Sequence, residues 1–366
     1  MRRFTSANPF YTVRAGHRHR TERPAIPSAE NRRFVLRSRP VRLAGPENFE
    51  LQRGPVPEIG DGQALVRIEM AALSAWQGMR TKDFKNFIRP FDIGELISCD
   101  TFGRVVESRC EALPAGAAAV GRQGWQDYAA VRPEDVSVAS DAYTAEEWLT
   151  ALSSPGQTPY LAFSQKVRPM PGETLVVTSA AGAVGSYAVQ LGKLAGARVV
   201  GIAGGPEKAA FVRGRLGADA AVDYRAGSFR DDLAAACPDG VNLYFDTVGG
   251  PVADAVSERL ALGADILLVG RVAANNSAEP ERDMANLRHV WSQEATIHSF
   301  NRYAYKDLYP LVIGRLGALL RAGRLAMHNQ VVDGMERTPA ALHDVLSGNH
   351  VGKMLVRYSD SGASPI

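Results

Sequence analysis

The stretch Thr174-Leu175-Val176-Val177-Thr178-Ser179-Ala180-Ala181-Gly182-Ala183-Val184-Gly185 decides the fold. An apolar, largely β-branched run makes a strand buried on both faces, a turn of small residues follows, and a helix-forming run begins at once. The alternation continues with a helix over 183–195, a strand over 198–203, a helix from Pro206, strands at 220–222 and 241–246, a helix from Pro251 and a strand at 266–269. Buried strands alternating with helices of about ten residues or more predict a doubly wound parallel sheet. The turn itself suits a phosphate. Its small side chains let a pyrophosphate reach backbone N–H groups at the positive end of the following helix. Gly182 takes the close-approach position and Gly185 the helix-packing position, while Ala180 stands where the strict pattern has its first glycine.

Outward from that unit the texture is different. Residues 33–36, 49–51, 63–71, 101–107 and 127–131 are short apolar or alternating runs separated by Gly/Pro turns, which predicts a β-rich region ending near residue 150. An amphipathic helix is expected over 307–322, and 330–332 and 354–357 are β-like again. The expected organisation is an extension over 1–28, a β-rich catalytic domain over 29–153 that resumes at 327–366, and the nucleotide-binding sheet inserted over 154–326.

Composition narrows the function. At 45% hydrophobic and 22% charged, the 366 residues are ordinary for a globular chain. No run approaches the roughly 20 apolar residues of a membrane span. Three separated cysteines (Cys99, Cys110, Cys237) offer no disulfide framework and no paired metal motif, which points to a reducing, cytoplasmic setting. The net charge is +3, but residues 1–28 hold six arginines against Glu22, a net of +5, so the body carries −2. That argues against nucleic acid as a partner. The tail reads as a flexible extension, or as an organellar transit segment lacking a clean amphipathic period.

The cofactor can be read further. An NAD site places an acid about 20 residues beyond the glycines. Here the second strand ends Ile202-Ala203-Gly204-Gly205 without one, Lys208 follows, and Tyr224 ends the third strand. A cation and a phenol facing an acid-free pocket suit the 2′-phosphate of NADPH. The alternative makes Lys208 a solvated helix residue and Glu207 the acid.

Ser179–Ser186, Gly204-Gly205-Pro206-Glu207-Lys208 and Tyr244-Phe245-Asp246-Thr247-Val248-Gly249-Gly250 resemble the medium-chain dehydrogenase/reductase superfamily. Within it the chain is similar to the zinc-free prostaglandin reductase and curcumin reductase group. Gly124-Trp125-Gln126-Asp127-Tyr128, Gly156-Gln157-Thr158-Pro159-Tyr160 and Asn349-His350-Val351-Gly352-Lys353 extend the likeness from residue 31 to 357. The resemblance implies an α/β architecture in which a GroES-like β-rich catalytic domain is interrupted by a Rossmann domain. It implies that Ala181, Gly182, Ala183, Val184 and Gly185 hold the pyrophosphate, and that Gly204, Lys208 and Tyr224 hold the 2′-phosphate side. Thr158, Thr247, Gly270, Arg271, Val272, Phe300, Asn301 and Asn349 would line the rest of the cofactor.

Three departures fall where substrate and nicotinamide should meet. Val272-Ala273-Ala274-Asn275-Asn276 lacks the group's tyrosine, Ser299-Phe300-Asn301-Arg302 replaces a Gly-Phe run with apolar successors, and Ser74-Ala75-Trp76-Gln77-Gly78-Met79-Arg80 lacks an Asp-Pro pair. Trp76, Arg80 and Asn275 are therefore expected in the substrate pocket. Asn275, Asn301 and Arg302 suggest a substrate more polar than a simple enone, possessing an anionic group. The competing account of Arg302 is a subunit contact on an edge strand.

No histidine lies between His19 and His289 and no cysteine stands in a Gly-His-Glu context, so no catalytic zinc is expected. Without a Lewis acid, reduction of an activated C=C is easier to accommodate than carbonyl reduction, because hydrogen-bond donors suffice to hold the enolate. Tyr160, Tyr303 and Tyr305 are candidate donors, with Arg302 the charged one; wall positions for the tyrosines fit equally well. His298 reads as a strand residue. The sequence thus points to an NADPH-dependent reductase of α,β-unsaturated carbonyls acting on a small molecule as a homodimer. A quinone or carbonyl reductase, a specialised biosynthetic reductase and a non-catalytic NADP-binding homologue are the alternatives.

Overall fold

The computed structural model describes residues 30–83, 88–271 and 287–358. The first part is antiparallel. Strands β1 (Glu30–Leu36) and β2 (Phe49–Pro55) form a ribbon. Strand β3 (Ala64–Ala72) precedes a short helix α1 (Ala75–Arg80), followed by β4 (Asp100–Ser108), β5 (Ala118–Gly121), β6 (Tyr128–Val131) and β7 (Val136–Ala139). Two helices, α2 (Ala145–Leu149) and α3 (Ser154–Gln165), lead to the parallel sheet.

That sheet is built from β8 (Thr174–Val177), α4 (Ala183–Leu194), β9 (Arg198–Ala203), α5 (Pro206–Gly214), β10 (Ala220–Asp223), α6 (Phe229–Ala236), β11 (Val241–Asp246), α7 (Gly250–Ser257), β12 (Leu260–Leu268) and β13 (Thr296–Ser299). Its order is β10-β9-β8-β11-β12-β13, all parallel, with β13 at the outer edge. This is the Rossmann order 3-2-1-4-5-6, whose direction reverses between β8 and β11. Every β8 residue is buried because helices cover both faces: Leu175 and Val177 point into one apolar cluster and Val176 into another.

The chain then returns to the antiparallel sheet. Strands β14 (Asn329–Asp333) and β15 (Lys353–Arg357) complete the order β14-β15-β3-β4-β5-β7, with β6 on β3. One apolar cluster runs from Met70, Phe102 and Ala118 of the antiparallel sheet through Trp148 and Leu152 to Leu175 and Val177, so the two sheets share a core. The expected interrupted α/β architecture is the observed one.

Some boundaries differ for physical reasons. The strand expected through Arg302 stops at Ser299, because the Asn301 side chain accepts from the Tyr303 N–H and caps a 3-10 helix over Arg302–Leu308. Pro310 then sits at the start of the helix Tyr309–Arg321, where its missing N–H is harmless. Tyr224 lies one residue past β10.

The two sheets meet backbone to backbone. Gly352 N donates to Ala181 O at 2.7 Å, and Gly182 bridges Gly352 in parallel fashion. Gly352 has φ +68, and a Cβ there would lie 1.7 Å from the His328 carbonyl oxygen. Gly94 has φ +84 with open space around it. Gly94→Ala is therefore expected to cost about 1–2 kcal/mol from backbone strain alone. Gly352→Ala should cost at least twice that in urea unfolding, since the backbone at residue 328 must move as well. Equal losses would contradict this account of the junction.

Candidate functional site

The site is assembled at the C-terminal ends of β8, β9, β10 and β11, where the sheet order reverses. Ser179, directly after β8, has φ +49, an uncommon conformation for a residue with a side chain. Gly182 N returns to Ser179 O at 2.8 Å, and Gly182 opens α4. A Cβ on Gly185 would lie 2.2 Å from Ser179 O, so the helix rests on the turn only because residue 185 has no side chain. The first N–H groups of α4 have no intrahelical acceptor.

The neighbouring β11–α7 turn is tied by Asp246. Its Oδ1 accepts from Val248 N (2.9 Å), Gly249 N (3.0 Å) and Thr178 Oγ1 (3.1 Å). Burial raises the Asp246 pKa, opposed by those backbone donors. Thr247 is anchored by its N–H to Thr178 Oγ1 and by its own hydroxyl to Thr178 O. Gly270 packs against it: a Cβ on Gly270 would meet Thr247 O at 3.1 Å.

At the ends of β9 and β10 lies a cavity of about 470 Å³ bordered by Gly204, Gly205, Lys208, Arg225, Asn349 and His350. Lys208 is half-buried and its Nζ donates to Gly348 O, so it is not a freely solvated helix residue. Burial, then repulsion from Arg225, lowers its pKa. Arg225 lies 5.6 Å from the Tyr224 ring centroid, and its pKa is raised chiefly by the Tyr224 hydroxyl. Burial and Lys208 push His350 down to about 4. Among the described residues neither Lys208 nor Arg225 forms an ion pair. Two cations without an ion-pair partner among the described residues thus face one cavity.

The expectation of an acid-free pocket is corrected here. Asp223 ends β10 beside Tyr224, and Glu207 borders the cavity. The Asp223 Oδ1 is taken up by Gly205 N (2.7 Å) and Arg225 N (2.9 Å), which fixes both loops. Arg225 was missed by sequence reasoning, although its position directly after Tyr224 was a usable signal.

The other end of the cleft is aromatic and cationic. Phe300 N donates to Leu268 O, and Tyr305 stacks on Phe300 with centroids 5.7 Å apart and planes 10° apart. Arg302 Nη1 donates to Gln157 Oε1 at 3.1 Å, joining the segment after β13 to α3. Arg122, at the end of β5, stacks 4.9 Å from the Trp76 ring, pairs with Asp100 at 3.1 Å and donates to Tyr303 Oη at 2.8 Å. Burial opposes the Arg122 charge, but Asp100 and Tyr303 more than offset it and its pKa is raised. Thr158 is buried on α3, with Tyr160 part-buried nearby. The Tyr160 and Tyr305 hydroxyls have no hydrogen-bond partner among the described residues.

Of the residues expected about the pocket and cofactor, Arg80 and Asn301 stand differently. Arg80 turns away: it stacks 3.8 Å over Phe91, donates to Arg89 O at 2.7 Å and reaches Glu95 at 3.4 Å. Asn301 spends its side chain on the 3-10 cap. Asn275, with Val272, lies outside the described residues. His298 is on β13 and contacts Asp265 at 2.6 Å. Arg122, Gln157 and Lys353 were given no role by sequence reasoning; polar residues on otherwise apolar elements were the available signal.

Cys99 and Cys237 are buried and Cys110 half-buried, and burial raises the Cys99 pKa well above the ordinary thiol value. Among the described residues no group of three His, Cys, Asp or Glu side chains is placed to hold a metal ion. Nor is any described helix long and apolar enough to cross a membrane.

Comparison with known proteins agrees with this geometry. The family model described as an N-terminal domain of oxidoreductase matches residues 32–138, and that of a zinc-binding dehydrogenase matches 183–316. The chain is 34% identical to the NADPH-dependent curcumin reductase of Escherichia coli, covering 89% of this chain and 96% of that one. It is 28% identical to an NADP(+)-dependent 2-alkenal reductase of Nicotiana tabacum, covering 90% and 98%. The crystal structure of CurA from Vibrio vulnificus in complex with NADPH superposes with a TM-score of 0.85 at 32% identity, covering 90% of this chain and 99% of that one.

Lys353 gives the site a pH signature. It is 4% exposed, donates to Ser74 Oγ at 2.5 Å, and is pushed down to about 8 by burial, which Asp100 and Cys99 only partly counter. The unfolded chain, with an ordinary lysine near 10.5, binds more protons between about pH 8 and 10.5. Stability from this group should therefore rise with pH across that window, by on the order of 3 kcal/mol, and be lowest below pH 8. Lys353→Met should remove the slope in thermal or urea unfolding. A variant whose stability rises in parallel with the unmutated chain would refute the assignment.

Proposed function

The chain belongs to the medium-chain dehydrogenase/reductase family, and we propose that it reduces the C=C bond of an α,β-unsaturated carbonyl with NADPH. The observation that carries the reading is the pair Lys208 and Arg225, two mutually repelling cations on a cavity beside the glycine turn. A 2′-phosphate relieves that repulsion, and the pyrophosphate suits the first turn of α4. The residues fit the cofactor. Lys208, Arg225 and Tyr224 would hold the 2′-phosphate, and Ala181, Gly182, Ala183, Val184 and Gly185 the pyrophosphate. Gly204, Thr158, Thr247, Gly270, Arg271, Phe300 and Asn349 would line the remainder.

When bound, NADPH supplies a hydride to the β-carbon of the substrate. The chain's part is to hold the charge that moves to the carbonyl oxygen and to govern protonation at the α-carbon. Tyr160 and Tyr305 carry hydroxyls not engaged elsewhere among the described residues, and we assign them as the neutral donors. Trp76 and Phe300 exclude water along the walls. The relatives named for curcumin and 2-alkenal reduction support the reaction class. Asn301, committed as a cap, is assigned to positioning the Arg302–Leu308 turn rather than to the cofactor.

Lys208→Ala and Arg225→Ala should each weaken NADPH binding roughly 10- to 100-fold while changing NADH binding little, as read by fluorescence titration. Absorbance loss at the nicotinamide band with an enone panel, and a saturated ketone as product, tests the reaction itself. Equal affinity of the unmutated chain for both cofactors would defeat the phosphate assignment.

No zinc takes part in this reading, and we place a homodimer on the outer edge of β13, which has no partner strand on that side among the described residues and where Ile297 is 40% exposed. Elemental analysis and sedimentation velocity of the purified chain should find no stoichiometric zinc and a two-chain particle. One tightly held zinc per chain, or a monomer at micromolar concentration, would remove the corresponding feature.

A further inference from the structure

The Tyr303 ring gathers three cations. Arg302 lies 4.7 Å from its centroid, Lys306 Nζ 5.7 Å and Arg122 6.0 Å. Only one carboxylate, Asp100, forms an ion pair with this set among the described residues, and it belongs to Arg122. Arg302 and Lys306 form none. Cations crowded on one phenol with a single counter-charge repel one another, and cation–π attraction offsets only part of that.

Arg302 is also held in one orientation. Its guanidinium contacts both the Tyr303 ring and the Tyr309 ring, 5.0 Å from the centroid of the latter. One Nη donates to Gln157 Oε1, and Gln157 is 4% exposed with its own amide nitrogen fixed on Leu152 O at 2.6 Å. A buried amide that turns its oxygen toward an arginine orients the arginine without neutralising it. The remaining N–H groups keep their capacity for an oxyanion. Lys306 and Tyr303 are exposed, so the cluster is open to a ligand.

The location gives the cluster its use. Arg302 follows Phe300 by two residues, at the C-terminal edge of the parallel sheet, while Arg122, Asp100 and Trp76 come from the antiparallel part. The cluster stands where the two sheets face each other, with Trp76 and Tyr305 as aromatic walls beside it.

We propose that Arg122, Arg302 and Lys306 around Tyr303 form a receptor for an oxyanion, a carboxylate or phosphate, carried by the substrate at the end away from its double bond. This rests on the enone-reductase reading and names the substrate class within it. The competing use of the cluster is a clamp between the two sheets, through Arg122 and Tyr303.

The test is steady-state kinetics with NADPH on three enones that share one reacting part: (E)-4-phenylbut-3-en-2-one, its para-carboxylate and its para-phosphate. The anionic compounds should exceed the neutral one in kcat/KM by about 10-fold or more, chiefly through KM. That advantage should shrink as KCl rises from about 20 to 300 mM. The better of the two anions identifies the oxyanion. Lys306→Gln and Arg302→Gln should each lower the anionic-to-neutral ratio about 10-fold, with Arg302→Lys intermediate. Equal kcat/KM for all three enones in the unmutated chain, or a ratio that the variants leave alone while lowering the melting temperature, overturns the proposal in favour of the clamp. If no enone is consumed, the reductase reading fails instead. Calorimetric titration of the para-carboxylate against the neutral enone then still decides the receptor: equal binding refutes it.

Discussion

Gly352 donating to Ala181 across the junction of the two sheets sets the geometry of everything around it. The contact joins the turn after β8 to a loop that arrives 171 residues later, and it does so through backbone alone. The Gly352 side tolerates no side chain, since a Cβ there would strike His328 O; on the other side a Cβ on Gly182 would meet Ser179 Oγ at 2.8 Å, which a turn of that hydroxyl relieves. Once the loop 348–353 is pinned there, its other groups fall into place. Gly348 O receives Lys208, His350 borders the cavity, and Lys353 reaches Ser74 on the antiparallel side. The cofactor cavity and the buried lysine are two consequences of one short backbone approach.

The parts of the fold legible in the sequence were those with a strong local cause. β8 could be read because all four residues are apolar or β-branched and all are buried, and the turn after it because only small residues occupy it. The alternating run of β3 was equally plain. Helix α6 was not read: Phe229-Arg230-Asp231-Asp232 is a polar first turn that hides a single buried ridge at Leu233 and Ala236. Helix α3 was recognised only as a motif, since Pro155, Gly156 and Pro159 argue against a helix until tertiary packing against α4 overrides them. The turn Arg302–Leu308 was taken as strand and helix because its cap, Asn301, looked like a pocket residue.

For the site, residue type was readable but direction was not. Arg80 and Arg302 are both arginines on segments near the cleft, yet one is drawn away by Glu95 and Phe91 while the other is held toward it by Gln157. Nothing in sequence spacing distinguishes them, because their partners are 15 and 145 residues distant. The cation count was likewise hidden. Lys208 was visible alone; Arg225 joins it only when β9 and β10 pair in parallel register, which brings Ala203 beside Asp223.

That pairing also explains how an acid can sit at the end of β10 without making the cavity an NAD site. A carboxylate that selects NAD needs free lone pairs for ribose hydroxyls. One oxygen of Asp223 already accepts two backbone N–H groups, those of Gly205 and Arg225, on the two loops that border the cavity. That oxygen shapes the two loops, and the Arg225 that it positions presents a cation to the cavity. Asp246 does the corresponding work at the β11–α7 turn with three donors on one oxygen. In both places a carboxylate builds the wall, and at the β10 end the cavity is left bordered by the cations of Lys208 and Arg225.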